Sequence, residues 1–263
     1  MDAILNCDNP AWMPPFSLCA ELPALPEHTG DRIWQRKADG HRAYANATHL
    51  NLRGGRAVEH NLQNLYIPDG WLLDGELIVP GGDVGDVASA LANKRWDRLY
   101  FEPFDVLVST AVTRINDAGY QTRWQLISER WPDSVVEVLA YPGEAMPPVP
   151  EHWEGVVGKL DAAWRSGRTA NALKWKRTGE LTAVIVGFEE GSGSWRGQVG
   201  KVVFGLPSGD QIVPVGHAGG LSDAERAAFT DHPERYVGRQ CIIRHYGMNK
   251  LKLRNPIFVS MTD

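Results

Sequence analysis

The sequence predicts an α+β protein in two parts. Residues 1–177 form a larger domain built on antiparallel sheet, and residues 178–263 form a small five-stranded β-barrel with one helix. Three observations carry this prediction. Short apolar–polar runs separated by turn residues recur from Ile33 onward, which is the period of half-buried strands. The clearest helical stretch has Tyr120, Trp124, Ile127 and Trp131 at spacings of four, three and four, giving one apolar stripe. Beyond Thr178, about five short apolar runs surround one capped helix.

Residues 1–30 are rich in proline (Pro10, Pro14, Pro15, Pro23, Pro26) and are expected to wrap the surface in extended form. Strands follow over Ile33–Arg53 and Trp71–Val79, the latter ended by Pro80-Gly81-Gly82. A short helix is predicted over Asp86–Trp96, a strand over Leu99–Val108, and a helix over Asn116–Trp131, stopped by Pro132. Residues 141–151 read as a proline-rich loop, with strands again at Gly155–Leu160 and Ala172–Arg177. Thr178-Gly179-Glu180 is the expected hinge. Strands are then predicted at Ala183–Phe188, Lys201–Leu206, Gln211–Val215, Gln240–His245 and Lys250–Met261. A helix starts at Ser222, spaced with Glu225 as a capping box. Five short strands and one helix describe an oligonucleotide-binding (OB) fold.

An apolar content of 43% and a charged content of 22% match ordinary globular proteins, and 263 residues suffice for two cores. The net charge of -5 lowers the expectation of tight non-specific binding to nucleic acid. The acidity lies in the first part, where 18 basic residues stand against 23 acidic ones; the second part has 9 of each. Cys7, Cys19 and Cys241 form no CxxC pair, so free thiols are expected rather than a zinc site or disulfide framework. No basic, apolar leader or long apolar run is present, and a cytoplasmic location is expected.

Charged residues in apolar strands are the unusual feature. Lys37-Ala38-Asp39-Gly40-His41-Arg42 is followed in order by Asp74-Gly75-Glu76, Phe104-Asp105, Glu154-Gly155 and Lys174-Trp175-Lys176. An acid inside a strand is costly unless it is paired or binds metal. Glu76 and Glu154, on separate strands, are expected to offer oxygen ligands to an Mg²⁺ ion. Lys174 and Lys176 alternate along a strand, share one face, and repel unless an anion lies between them.

These motifs, in this order, resemble those of the covalent nucleotidyltransferases: ATP-dependent DNA ligases, RNA ligases and mRNA capping enzymes. The resemblance covers the chain from about residue 30 to its end. It implies that the first domain is an adenylation domain, and that Lys37 attacks the α-phosphate of ATP and keeps AMP as a phosphoramidate. Asp39 would position the reacting groups, and Arg42 would contact the phosphate or the 3′-hydroxyl strand. Arg53 would bind the 5′-phosphate of a nick, with Arg56 as a possible substitute. Phe104 would stack on adenine, with Phe101 competing for that role. Backbone near Arg36 would read the base, and Lys174 and Lys176 would neutralise the phosphates. Mg²⁺, for which Mn²⁺ can substitute, is the implied cofactor.

The glycine-spread stretch Gly187 to Gly200 and the ending Arg254-Asn255-Pro256-Ile257-Phe258 resemble the barrel of small DNA ligases. A minimal ATP-dependent DNA ligase acting as a monomer on nicked duplex is the implied identity. Arg165, Arg168, Lys250 and Lys252 are its expected DNA contacts, and Arg254 is expected to close over pyrophosphate. The ending departs from many ligases in lacking a basic residue after Phe258. The rival readings are an RNA ligase or GTP-using capping enzyme, and a non-catalytic module gripping single strands through Trp195.

Overall fold

The computed structural model describes residues 14–249 and 252–262. The chain divides into two compact units, residues 1–176 and 177–263. Both are mostly sheet with few helices. Among the described residues, no helix is long and apolar enough to cross a membrane.

The first unit contains β1 (Ser17–Glu21), β2 (Arg32–Arg36), β3 (His41–Ala45), β4 (His49–Leu52), β5 (Ala57–Glu59), β6 (Leu72–Ile78), α1 (Val84–Ala92), β7 (Tyr100–Val108), α2 (Tyr120–Arg130), β8 (Val138–Ala140), β9 (Gly155–Leu160) and β10 (Gly167–Lys176). They form two five-stranded sheets, ordered β1-β10-β9-β2-β8 and β5-β4-β3-β6-β7. All pairings are antiparallel except that of β1 with β10. The chain passes from one sheet to the other between β2 and β3, so the Lys37–Gly40 link lies at their junction.

Register sets which side chains share a face. In the first sheet, Ile33, Gln35, Val157, Lys159, Lys174 and Lys176 fall on one side. Trp34, Val156, Leu173 and Trp175 fall on the other and pack with Trp153 in an apolar cluster. In the second sheet, Ala43, Leu73, Leu77 and Phe101 join the main core with Val87 and Leu91 of α1 and Trp124 and Ile127 of α2. Arg42, Tyr44, Asp74 and Glu76 occupy its opposite face. Polar and charged residues therefore line one side of each sheet.

Several elements differ from expectation. The N-terminal segment, as far as it is described, is not merely a surface wrap: Ser17–Glu21 extends the first sheet. Helix α1 starts earlier because Asp83 caps it, its carboxylate accepting from the Gly85 and Asp86 N–H groups. It ends by Ala92, before Lys94 turns left-handed at φ 54°. The Asn116–Trp131 prediction splits into a single 3₁₀ turn over Ile115–Asp117 and α2, with Gly119 between them at the N-cap. The apolar stripe survives: Tyr120, Trp124, Ile127 and Trp131 are all buried.

The second unit contains β11 (Gly179–Glu190), β12 (Val199–Ser208), β13 (Gln211–Ala218), α3 (Asp223–Asp231), β14 (Gln240–His245), β15 (Met248–Asn249), β16 (Lys252–Leu253) and β17 (Ile257–Met261). Five strands make one antiparallel sheet, β13-β12-β11-β14-β17, and β15 pairs with β16. Among the described residues, this sheet keeps two edges and does not close into a barrel. A parallel bridge from Gly219, just past β13, to Ile257 of β17 is what approaches closure. Phe229 of α3 packs its ring against Phe188, Tyr236 and Phe258, fixing the helix to the sheet. The capping box of Ser222 and Glu225 is present. Gly179 and Glu180 are not a free connector, because they pair with His245 and Arg244 as the start of β11. The last predicted strand is broken at the turn where Asn255 adopts φ 45° before Pro256, a residue with no N–H to donate.

Candidate active site

Lys37 is held at both ends. Its backbone N–H donates to the Gly155 carbonyl at 2.9 Å, continuing the β2–β9 ladder by one residue. Its Nζ makes an ion pair with Glu154 Oε2. The other carboxylate oxygen, Oε1, lies 3.1 Å from Lys176 Nζ. Burial alone would push the Glu154 carboxyl up, but Lys37 and then Lys176 hold it below the usual carboxylate range. Lys174 points along the same face and pairs with Glu21 at 3.5 Å.

Two glycines permit this convergence. A Cβ on Gly40 would lie 2.1 Å from the Leu77 carbonyl oxygen, and one on Gly155 would lie 2.1 Å from that of Trp175. The glycines of the lysine motif and of Glu154-Gly155 are therefore close-approach positions.

The second sheet supplies the acids. Asp74 is buried and takes a bidentate pair from Arg42, Nε to Oδ1 at 2.9 Å and Nη2 to Oδ2 at 2.6 Å. Arg42 Nη1 donates to the Ser17 carbonyl. Both N–H edges of the guanidinium are thus engaged within the protein, which is not the arrangement of an open DNA contact. Glu76 is half-buried, and its carboxyl is pushed up to about 7, chiefly by burial, against the pull of Lys37 and Arg42. Asp39 is half-buried in the β2–β3 link.

Phe104 lies where the two charged faces meet. Lys159 Nζ sits 4.1 Å above its ring centroid and donates to its carbonyl at 3.0 Å. The Arg42 guanidinium lies 5.2 Å from the same centroid. The Tyr120 hydroxyl lies 2.6 Å from the Phe104 carbonyl and 2.8 Å from Gln35 Oε1, with a proton to donate to either. Phe101, the competing aromatic, is fully buried in the main core, away from this face. Asp105 next door receives Arg123 Nε at 2.7 Å, with Lys159 at 3.6 Å. Burial opposes its ionisation, but Lys159 and Arg123 hold it below the usual range.

Arg36 pairs with Glu102 and approaches Glu137 at 3.6 Å. Arg53 is exposed at the β4–β5 turn with Arg56, its N–H donating to the Arg42 carbonyl at 3.1 Å. Arg165 and Arg168 are exposed around the β9–β10 turn. Lys252 and Arg254 belong to the second unit, and Lys250 lies outside the described residues. Among the described residues, no group of three or more His, Cys, Asp or Glu is arranged to hold a metal ion.

Sequence reasoning missed Lys159 and Arg123. The signal for Lys159 was available: a lysine in the apolar run Val156-Val157-Gly158-Lys159-Leu160, on the same face as Val157. Arg123 gave none, since its helix position reads as an ordinary polar residue.

No protein-family model and no curated protein matches the sequence. Solved structures do. One, from "DNA binding with a minimal scaffold: Structure-function analysis of Lig E DNA ligases", has a TM-score of 0.70 at 21% identity, over 95% of this chain and all of that one. Pmar-Lig_PreS3 has a TM-score of 0.69 at 19% identity, over 88% of this chain and 63% of its own. Pmar-Lig_Pre. has the same TM-score and coverage at 18% identity. This chain therefore spans less than two thirds of the length of those two structures. At these identities the likeness establishes architecture, and this chain has the fold of the Lig E DNA ligase structure.

Proposed function

We propose that the protein is an ATP-dependent DNA ligase that seals 5′-phosphate/3′-hydroxyl nicks in duplex DNA. In this reading the first unit is the adenylation domain and the second an OB-fold domain. The observation that carries it is the Lys37 amine at the junction of two sheets, paired with Glu154, whose other oxygen is paired with Lys176, in the motif order of covalent nucleotidyltransferases. The ligase fold supports the choice of acceptor.

Lys37 Nζ, once unprotonated, attacks the α-phosphorus of ATP. A P–N bond forms as the bond to the pyrophosphate oxygen breaks, leaving lysyl-AMP. The 5′-phosphate of the nick then attacks the same phosphorus and frees the lysine. The 3′-hydroxyl finally attacks the adenylated 5′-phosphate and expels AMP. Lys174 and Lys176 supply positive charge where negative charge accumulates in the first step. Glu154 keeps Lys37 in place before ATP arrives. Phe104 offers its ring to the base, and Arg53 offers its charge to the 5′-phosphate.

Mg²⁺ fits this set in a limited way. Both Glu154 oxygens face lysines, so Glu76 is the carboxylate that would hold the ion, with substrate phosphates completing its oxygen shell. When bound, the ion supplies charge neutralisation on the phosphates.

The test is labelling with α-labelled ATP and, in parallel, α-labelled GTP, followed by sealing of a nicked duplex on a gel. ATP should give an acid-labile, alkali-stable protein label and a sealed product, and Lys37→Ala should lose both. Labelling by GTP alone would move the protein to the capping class, and label retained by Lys37→Ala would remove the lysine from the mechanism.

A further inference from the structure

Phe16, on the segment entering β1, is not itself a reacting group, yet it is built into the site. Its ring is stacked on that of Tyr44, with centroids 4.1 Å apart and planes 5° from parallel. Tyr44 is fully buried. The Arg42 guanidinium lies over Phe16 at 5.1 Å and over Phe104 at 5.2 Å. Asp74 grips one edge of that guanidinium, and the carbonyl of Ser17, the residue after Phe16, takes another donor. Arg42 is thus a fixed plate joining the N-terminal segment to the Phe104 ring.

We propose that Phe16 is a positioning residue for nucleotide binding: it holds the Arg42 guanidinium against Asp74 and so sets the plane of Phe104. The proposal rests on the reading above, in which Phe104 receives the base. Arginine stacked on aromatic faces gains from the ring quadrupole and loses that gain when the ring is removed. Asp74 fixes one guanidinium edge and the Ser17 carbonyl holds Nη1, so the hydrogen bonds set where the plate lies. Phe16 on its face adds resistance to rocking out of that plane. Phe16 would then contribute to ATP affinity without contacting ATP.

The experiment measures ATP affinity by calorimetric titration and the ATP dependence of lysyl-AMP formation. It uses the full chain, Phe16→Ala, Phe16→Tyr, Phe104→Ala and the Phe16→Ala/Phe104→Ala double variant. Phe16→Ala should weaken ATP binding by roughly tenfold, with the limiting labelling rate changed by less than about twofold. Phe16→Tyr should restore affinity. Adding Phe16→Ala to Phe104→Ala should cost nothing further, because the effect passes through Phe104. Unchanged ATP affinity in Phe16→Ala, or full additivity in the double variant, would overturn the proposal. Wild-type protein that binds ATP but never labels would sink the ligase reading, while the affinity data would still decide the role of Phe16.

Discussion

In the first unit, Asp74, Asp105 and Arg123 lie among the buried side chains; in the second, Arg226 is the one charged residue buried among the described ones. The second unit keeps its acid–base pairs at the surface, Glu180 with Arg244 and Glu189 with Lys201 and His217. Among the described residues the first unit has two five-stranded sheets and the second has one, so only the first has a second polar sheet face against which charge can be buried. Buried charge costs stability unless every partner is present. A fold that buries this much of it in one unit and almost none in the other has concentrated its polar chemistry there.

The comparison breaks most sharply at Asp105. Asp105→Asn leaves Arg123 and Lys159 without their shared countercharge, and unfolding in denaturant should come earlier by roughly 3–5 kcal/mol. A loss below about 1 kcal/mol would mean that the buried network is more hydrated than its geometry implies.

Glu76 should move the other way. Its carboxyl is raised from 4.5 to about 7, so its contribution to folding is complete below pH 4.5 and is lost as pH rises through 7. At pH 8 the wild type carries the full penalty of an ionised buried acid, and Glu76→Gln carries none. The variant should be more stable by at most about 3 kcal/mol at pH 8 and unchanged near pH 4, while sealing activity falls. Equal stability at both pH values would show that Glu76 ionises freely in the folded protein.

The smallest effect belongs to the second unit. Glu189→Gln removes the partner of Lys201 and His217 on an exposed face, and the denaturation midpoint should not move measurably. A clear shift would erase the contrast between the units.

These differences explain what could be read from the chain. The lysine motif, the strand acids and the paired lysines were legible because a charged residue in an apolar alternating run breaks the pattern expected of a core strand. Their partners were less so. That Glu154 serves Lys37 and Lys176, and that Arg42 turns inward to Asp74, depends on which strands become neighbours. Alternation within one strand does not encode that choice. Phe16 was illegible for the same reason: it precedes β1 of one sheet and stacks on Tyr44 of β3 in the other. The edges of helices α1 and α2 were misplaced where a cap or a single tight turn decided the boundary.

The placement of β2 has a consequence for how the protein is made. Its neighbours are β8 and β9, which lie about a hundred residues further along the chain, and Lys37 is separated from Glu154 by 117 positions. On a ribosome, β2 emerges early with both edges unpaired and waits for most of the first unit to be synthesised. Such long-range pairing folds slowly and leaves open strand edges exposed to other chains. The yield of soluble protein should therefore depend on the pace of translation through residues 40–160 and on chaperones that cover β2. A chain truncated before β9 should aggregate rather than fold into a smaller, inactive domain.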